Sequence, residues 1–345
     1  MSNFDHIYSM PMSRRMPAEW ETHAGCLMVW PDDDAPWPGN LPAVQREYAA
    51  VARAIRSFEP LTMIVAADAA KNARDLLGGD ITLLTLPYND AWVRDSGPTF
   101  VRENGQNLAA VTWRFNGWGG AATDFALDAQ INRRVAGHVG AKCVNSALAM
   151  EGGAIHVDGE GTLLTTETVV FNSNRNPGIT RAAAEAEFAR TLGIEKTIWL
   201  PGNPHEFGTN GHIDGIACFV RPGVVMFEKS ASSRPHYQEV TERNFAALKN
   251  QNDARGRRIE LVFIEEAPDE GRGRKGEWGY STSYVNFYIA NDGIVMPAFG
   301  LPQQDAAAKA AMTAAFPGRR IAQVDISHLA AGGGGIHCIT QQIPA

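Results

Sequence analysis

The chain has 345 residues, 44% of them hydrophobic and 20% charged, with a formal net charge of -7. That length fits about two domains or one large domain of repeated units, and the apolar content supports a packed core, which excludes a disordered chain. The mildly acidic balance, with no dense basic run, argues against nucleic acid or an anionic membrane as a partner.

In chain order, residues 1–20 carry Asp5, Arg14 and Arg15 without the apolar core of a secretory signal. No later apolar run approaches the roughly 20 residues that cross a bilayer, so a cytoplasmic location is expected. Gly25-Cys26-Leu27-Met28-Val29-Trp30 reads as a strand, followed by a helix over residues 43–58 and a strand over 61–66. From there one pattern recurs: a hairpin around a Gly-containing turn, an Ala-rich or amphipathic helix, then a further strand. Residues 99–115 bend around Asn104-Gly105, ahead of a helix over 126–139 and a strand over 141–148. The clearest copy turns at Asp158-Gly159-Glu160-Gly161, then predicts a helix over 179–192 and a strand over 196–200. The next bends around Arg221-Pro222-Gly223, with a helix over 237–250 and a strand over 259–264. The last bends around Asn291-Asp292-Gly293, with a helix over 304–316 and a strand over 320–325.

A fifth unit is complete only if residues 336–342 pair with residues 25–30, joining the two ends of the chain. The predicted fold is therefore α/β, a single catalytic domain over residues 1–345 whose five units close into a pseudo-five-fold ring. Two ordinary open α/β domains are the alternative. In a ring, equivalent hairpin entrances meet at one end of the axis. Four of these entrances are unusually polar: residues 89–98, 150–153, 209–215 and 332–338. Together they offer a thiol, imidazoles and several carboxylates.

The four cysteines form no Cys-x-x-Cys pair, which argues against a zinc knuckle or a disulfide framework. Cys26 and Cys218 lie in strand-like runs and read as small core residues. Cys338 instead follows four glycines, a context that exposes a side chain to a ligand and favours a nucleophile over a core thiol. Neighbouring carboxylates raise a thiol pKa unless a cation offsets them. A guanidinium supplies that charge beside an electrophilic carbon and presents a planar fork to carboxylates, so Asp95, Glu151 and Asp214 suit a clamp. His212 is the candidate acid and base. A zinc site built from His212, Asp214 and either His205 or His156 is the competing reading. Trp92 offers a face for a flat cation or a core indole, and Arg94 a partner for one of the carboxylates. His337 is expected on the opposite strand face from Cys338, in a structural role.

The segments Arg15-Met16-Pro17-Ala18-Glu19-Trp20, Gly25 to Pro31, Asn89 to Asp95, Glu151-Gly152-Gly153 and Gly334 to Gln342 resemble the agmatine deiminases, across nearly the whole chain. These are grouped with bacterial peptidylarginine deiminases in the guanidine-modifying superfamily. The resemblance implies a five-unit α/β propeller with Cys338 as nucleophile, His212 as acid and base, Asp95 and Asp214 on the guanidinium and Glu151 as a further acid. Trp92, Gly334 and Gly335 would line the substrate. It also implies hydrolysis of agmatine to N-carbamoylputrescine and ammonia through a thiouronium on Cys338, in polyamine metabolism, with no cofactor or metal; a homo-oligomer is left open. Gly335 stands where many members have Asn, Gly215 where Asn is frequent after the His-x-Asp motif, and the loop from Gly271 to Ser281 has no clear match. Other readings are a deiminase for free or peptidyl arginine, an amidinotransferase, a metal-dependent hydrolase and a cation-binding module without catalysis.

Overall fold

The computed structural model describes residues 13–231, 235–269 and 279–345. Among them are five separate sheets, each combining an antiparallel pair with a parallel strand. The Thr99–Glu103 and Asn107–Thr112 hairpin is extended by Lys142–Asn145 in parallel. Its turn holds Asn104 at φ 51° and Gly105 at φ 79°, the left-handed pair that tight hairpins require. The same arrangement recurs in Ile155–Val157, Thr162–Thr166 and Lys196–Leu200, and in Ala217–Arg221, Val224–Lys229 and Glu260–Glu265. Tyr288–Ala290, Gly293–Ala298 and Arg320–Asp325 form the next sheet. In the last, Gln341–Pro344 lies antiparallel to His23–Val29, which is parallel to Leu61–Val65. The two ends of the chain thus share one sheet, as the repeat reading requires.

A helix separates each antiparallel pair from its parallel strand because the crossover must return over the sheet. Leu41–Arg56 has Pro42 in its first turn and buries Val44, Tyr48, Val51, Ala52 and Ile55, spaced three and four apart on one face. Each large aliphatic side chain on that stripe contributes about 1.5–3 kcal/mol by leaving water. Arg181–Leu192 starts at Thr180, whose hydroxyl accepts from Ala183 N, and stops at Gly193 in the left-handed region. The largest apolar cluster joins residues between Cys26 and Ala141 to residues between Cys218 and Ile339, tying the first and last sheets together.

Three local features depart from the sequence reading. Arg14–Arg15 adds an antiparallel edge to Thr99–Glu103, although two residues carry no periodicity to detect. The last sheet gains a second crossover, the helix Ala70–Leu77 and the strand Thr82–Thr85. That strand is exposed or half-buried throughout, which removes the usual hydrophobic alternation. The terminal strand begins only at Gln341, so Ile336 to Ile339 form a turn, and Cys338 stands before the strand instead of within it.

Candidate active site

Short helical turns or bends precede the first strand of four hairpins, and they carry the polar groups. Asp95 lies in the turn Val93–Ser96 before Thr99. Glu151 caps Gly152–Ala154 before Ile155. His212 caps Ile213–Gly215, which contains Asp214, before Ala217. Asn286 precedes Tyr288, and Cys338 precedes Gln341 in the sheet that joins the chain ends. All but Cys338 are buried, and the thiol is half-buried, so these groups meet inside the protein while the sulfur stays partly accessible.

They converge on Gly153. A Cβ at that position would fall 2.7 Å from His212 Nδ1, 2.8 Å from Asp214 Oδ2 and 2.8 Å from Asp95 Oδ1. Asp95 is fixed at both oxygens: Gly153 N donates to Oδ1 at 2.9 Å and Trp118 Nε1 to Oδ2 at 2.8 Å. Trp118 reaches it from a left-handed backbone conformation, φ 54° and ψ 46°. His212 Nε2 lies 3.1 Å from Glu151 Oε2, and its Nδ1, 3.8 Å from Asp95 Oδ1, has no hydrogen-bond partner among the described residues. Arg175 Nε donates to both oxygens of Glu151, at 2.9 and 3.0 Å, while its other nitrogens reach Asn174, Asn210 and Thr209.

Around the thiol, Asn286 Nδ2 donates to Cys338 Sγ at 3.1 Å, Cys338 N donates to Asn286 Oδ1 at 3.2 Å, and Sγ lies 3.6 Å from Asp214 Oδ2. His337 departs from the sequence expectation. In a turn, neighbouring side chains are not forced to opposite faces, and His337 Nδ1 reaches the same Asp214 Oδ2 at 2.9 Å. Arg94 holds Glu19 at 3.1 Å and donates through Nε to the His337 carbonyl. Trp92 is buried against Trp37, ring centroids 5.6 Å apart, and a side chain on Gly334 would collide with it. A Cβ on Gly335 would come 2.6 Å from Asn286 Oδ1, so Asn286 occupies the space beside that glycine. The competing zinc set is not assembled: His205 is exposed against His236, and His156 faces Glu19 at 3.7 Å.

The family model for Porphyromonas-type peptidyl-arginine deiminases matches residues 15–344. The chain belongs to that family. An agmatine deiminase of Ectopseudomonas mendocina is 38% identical over 96% of this chain and 95% of its own. A Streptomyces coelicolor relative reaches 45% identity over 96% and 99%. The structure of agmatine deiminase from Enterococcus faecalis superposes with a TM-score of 0.90 at 31% identity, covering 96% of each chain. A dimethylarginine dimethylaminohydrolase shares the fold, at a TM-score of 0.52 and 14% identity over 93% of this chain and all of its own. As a member of the peptidyl-arginine deiminase family, the chain is a hydrolase of amidine carbon–nitrogen bonds.

The electrostatics of this deiminase's site set its resting protonation. Burial disfavours the His212 cation, yet the Asp95 charge and the bond and charge of Glu151 outweigh it and hold the imidazole up to about 9. Burial would also neutralise Glu151, but Arg175 and His212 keep its carboxyl below the ordinary range. The Cys338 thiol is pushed well up by burial and then by Asp214 and Asp95. Asp95 is raised by burial, with Asp214 and Glu151 adding like charge against the opposing pull of His212. These shifts favour a neutral thiol and an imidazolium.

The raised His212 pKa should set the pH dependence of activity. The imidazolium is present below about 9 and is lost above it, so kcat/KM for a guanidinium substrate should show an alkaline limb near that pH. Glu151→Gln removes the charge that favours the cation and leaves the Arg175 guanidinium without its ion-pair partner, so the limb should move down by about one pH unit or more. Parallel pH profiles of the two enzymes measure this. An unmoved limb would assign that titration to a group other than His212.

Proposed function

We propose that the protein is an agmatine deiminase, hydrolysing agmatine to N-carbamoylputrescine and ammonia through an S-amidino intermediate on Cys338. The observation that carries this reading is the convergence of Asp95, Asp214 and His212 on Gly153, with the Cys338 thiol 3.6 Å from the same Asp214 oxygen. In this reading, the guanidinium enters between Asp95 and Asp214, and its charge lowers the thiol pKa until the proton leaves to solvent. Sγ then attacks the guanidinium carbon, imidazolium His212 protonates the departing nitrogen, and ammonia leaves. Neutral His212 next takes a proton from water as the oxygen adds to the thiouronium carbon. Collapse breaks the C–S bond, the departing sulfur takes the hydroxyl proton to restore the thiol, and the ureido product leaves.

The five sheets support a closed, pseudo-five-fold ring of repeated units forming one catalytic domain, which brings the hairpin entrances to one end. The same reading makes it a cytoplasmic enzyme of polyamine metabolism. Among the described residues no helix is long and apolar enough to cross a membrane.

The choice of agmatine over arginine rests on charge. An arginine α-carboxylate needs a cation in the pocket, and burying it unpaired is costly. Arg94 is committed to Glu19 and Arg175 to Glu151, while Arg114 is exposed and donates to the Ala147 carbonyl. The cationic run Arg272-Gly273-Arg274-Lys275 lies outside the described residues. Near Trp92 stands another acid, half-buried Asp90, raised to about 7 by burial and by the charges of Asp128 and Asp33 despite a bond from Ala91 N. Where Asp90 is ionised, an ammonium suits it and a carboxylate does not. In competition at equal concentration, ammonia release should favour agmatine over arginine by at least about a hundredfold, equivalent to roughly 2.7 kcal/mol. Comparable rates would move arginine deimination to first place.

A further inference from the structure

The sequence assigns no chemistry to His337, yet its ring is enclosed by charged groups. Nδ1 lies 2.9 Å from Asp214 Oδ2, and Nε2 lies 2.9 Å from Glu19 Oε1. Both carboxylates are themselves buried. A neutral imidazole has one N–H and one lone pair, so whichever tautomer is chosen, one nitrogen lone pair would face a carboxylate oxygen at hydrogen-bond distance. Only the imidazolium donates to both.

We propose that His337 is a constitutive imidazolium, bridged between Glu19 and Asp214, which positions the Asp214 carboxylate beside the Cys338 thiol. The charges around it support this state. Glu19 accepts from Arg94 Nη1 at 3.1 Å on the same oxygen that faces His337, so one cation already opposes that carboxylate. With Glu19 and Asp214 ionised, Arg94 and a protonated His337 balance them; a neutral ring would leave one buried negative charge uncompensated. Burial and Arg94 oppose protonation of His337, and Glu19 and Asp214 outweigh them, so its pKa is raised. The remaining groups facing the cluster are His156, whose ring centroid is 6.3 Å away and whose Nε2 is 3.7 Å from Glu19, the Cys218 thiol beside Glu19 and Asp214, and His212, Asp95 and Cys338 on the far side of Asp214. Glu19, His156 and His337 could surround a metal ion by their spacing, but the Arg94 guanidinium already supplies positive charge to Glu19.

The bridge has a chemical consequence. Burial works to neutralise Asp214, while the His337 bond and charge hold its carboxyl below the ordinary range. Because His337 takes Oδ2, the carboxylate is fixed in orientation beside the Cys338 thiol. His337 is therefore a positioning residue, acting through Asp214.

The test begins with the intact wild-type protein, its histidines labelled with nitrogen-15, so that this arm is independent of the proposed activity. Across pH 6–8, roughly the range in which an ordinary histidine titrates, the His337 ring should keep two N–H protons and the nitrogen shifts of the cation. A neutral tautomer, or a proton resident on Asp214, would overturn the proposal. The second arm rests on the deiminase reading. His337→Gln retains one donor but no charge, so Asp214 should titrate at higher pH and the acid limb of kcat/KM should rise by about one unit or more. Glu19→Gln should release the second proton of His337 in the same spectra. A role in packing alone would lower activity or Tm without moving the acid limb, and that result would also overturn the proposal.

Discussion

Cys338→Ala is expected to abolish ammonia release from agmatine while leaving the fold intact. The thiol is the one described nucleophile that shares a carboxylate oxygen with the proposed guanidinium clamp, 3.6 Å from Asp214 Oδ2. The alanine side chain carries no nucleophile to take its place. The structural cost is small because the turn keeps its backbone bonds: Cys338 N still donates to Asn286 Oδ1, and Arg94 N to the Cys338 carbonyl. Only two contacts of the sulfur are lost, from Asn286 Nδ2 and to Asp214 Oδ2, each worth about 0.5–1.5 kcal/mol, against total stabilities of about 5–15 kcal/mol. Circular dichroism and Tm should therefore remain near wild type while single-turnover ammonia release disappears. Acid quenching of wild type during turnover should capture a protein carrying one added amidino group on Cys338, absent from the variant. Near-normal turnover by the variant would end the covalent mechanism.

Most of the architecture was legible because the hairpin, helix and strand pattern carries its own turn chemistry. Asn104-Gly105, Asp158 to Gly161 and Asn291-Asp292-Gly293 marked the hairpins, and the strands that follow the helices fell close to where periodicity put them. The pairing of the chain ends was readable only by counting incomplete units. The strand boundary at the C-terminus was not, because Ile336 to Gln342 is apolar enough to look continuous while the chain turns through Cys338. That error separated His337 from the site, since alternation was applied where no strand exists.

The groups missed at the site fall into two kinds. Asn286 was within reach of the repeat argument: it stands at the entrance of the Tyr288–Ala290 hairpin, the position that supplies Asp95, Glu151 and Asp214 in other units. Glu19, Trp118 and Arg175 lie outside that equivalence. Glu19 belongs to the segment before the first long strand, Trp118 to a left-handed turn, and Arg175 to the connection ahead of a helix. Their partners are 318, 23 and 24 residues away in sequence, so only the folded chain brings them together.

Gly153→Ala should reduce kcat/KM for agmatine by at least about a thousandfold, although the substitution adds a single methyl group. Gly153 does not have a left-handed φ, so alanine can adopt its backbone conformation and the effect is confined to the new Cβ. That atom would come within 2.8 Å of three side chains at once: His212 Nδ1, Asp214 Oδ2 and Asp95 Oδ1. None can simply swing aside. Asp95 is anchored by Trp118 and by Gly153 N, His212 by Glu151, and Asp214 by His337. A displacement of about 1 Å in one reacting group can cost about a hundredfold, and here the proposed clamp and the proposed acid-base group would move together. Overpacking of this kind costs about 1–3 kcal/mol of stability, so the variant should still fold, with a lowered Tm. Steady-state kinetics alongside thermal unfolding separate the two effects. Wild-type efficiency in a folded variant would mean that the point where these three groups meet is not where the chemistry occurs, whatever the fate of Cys338.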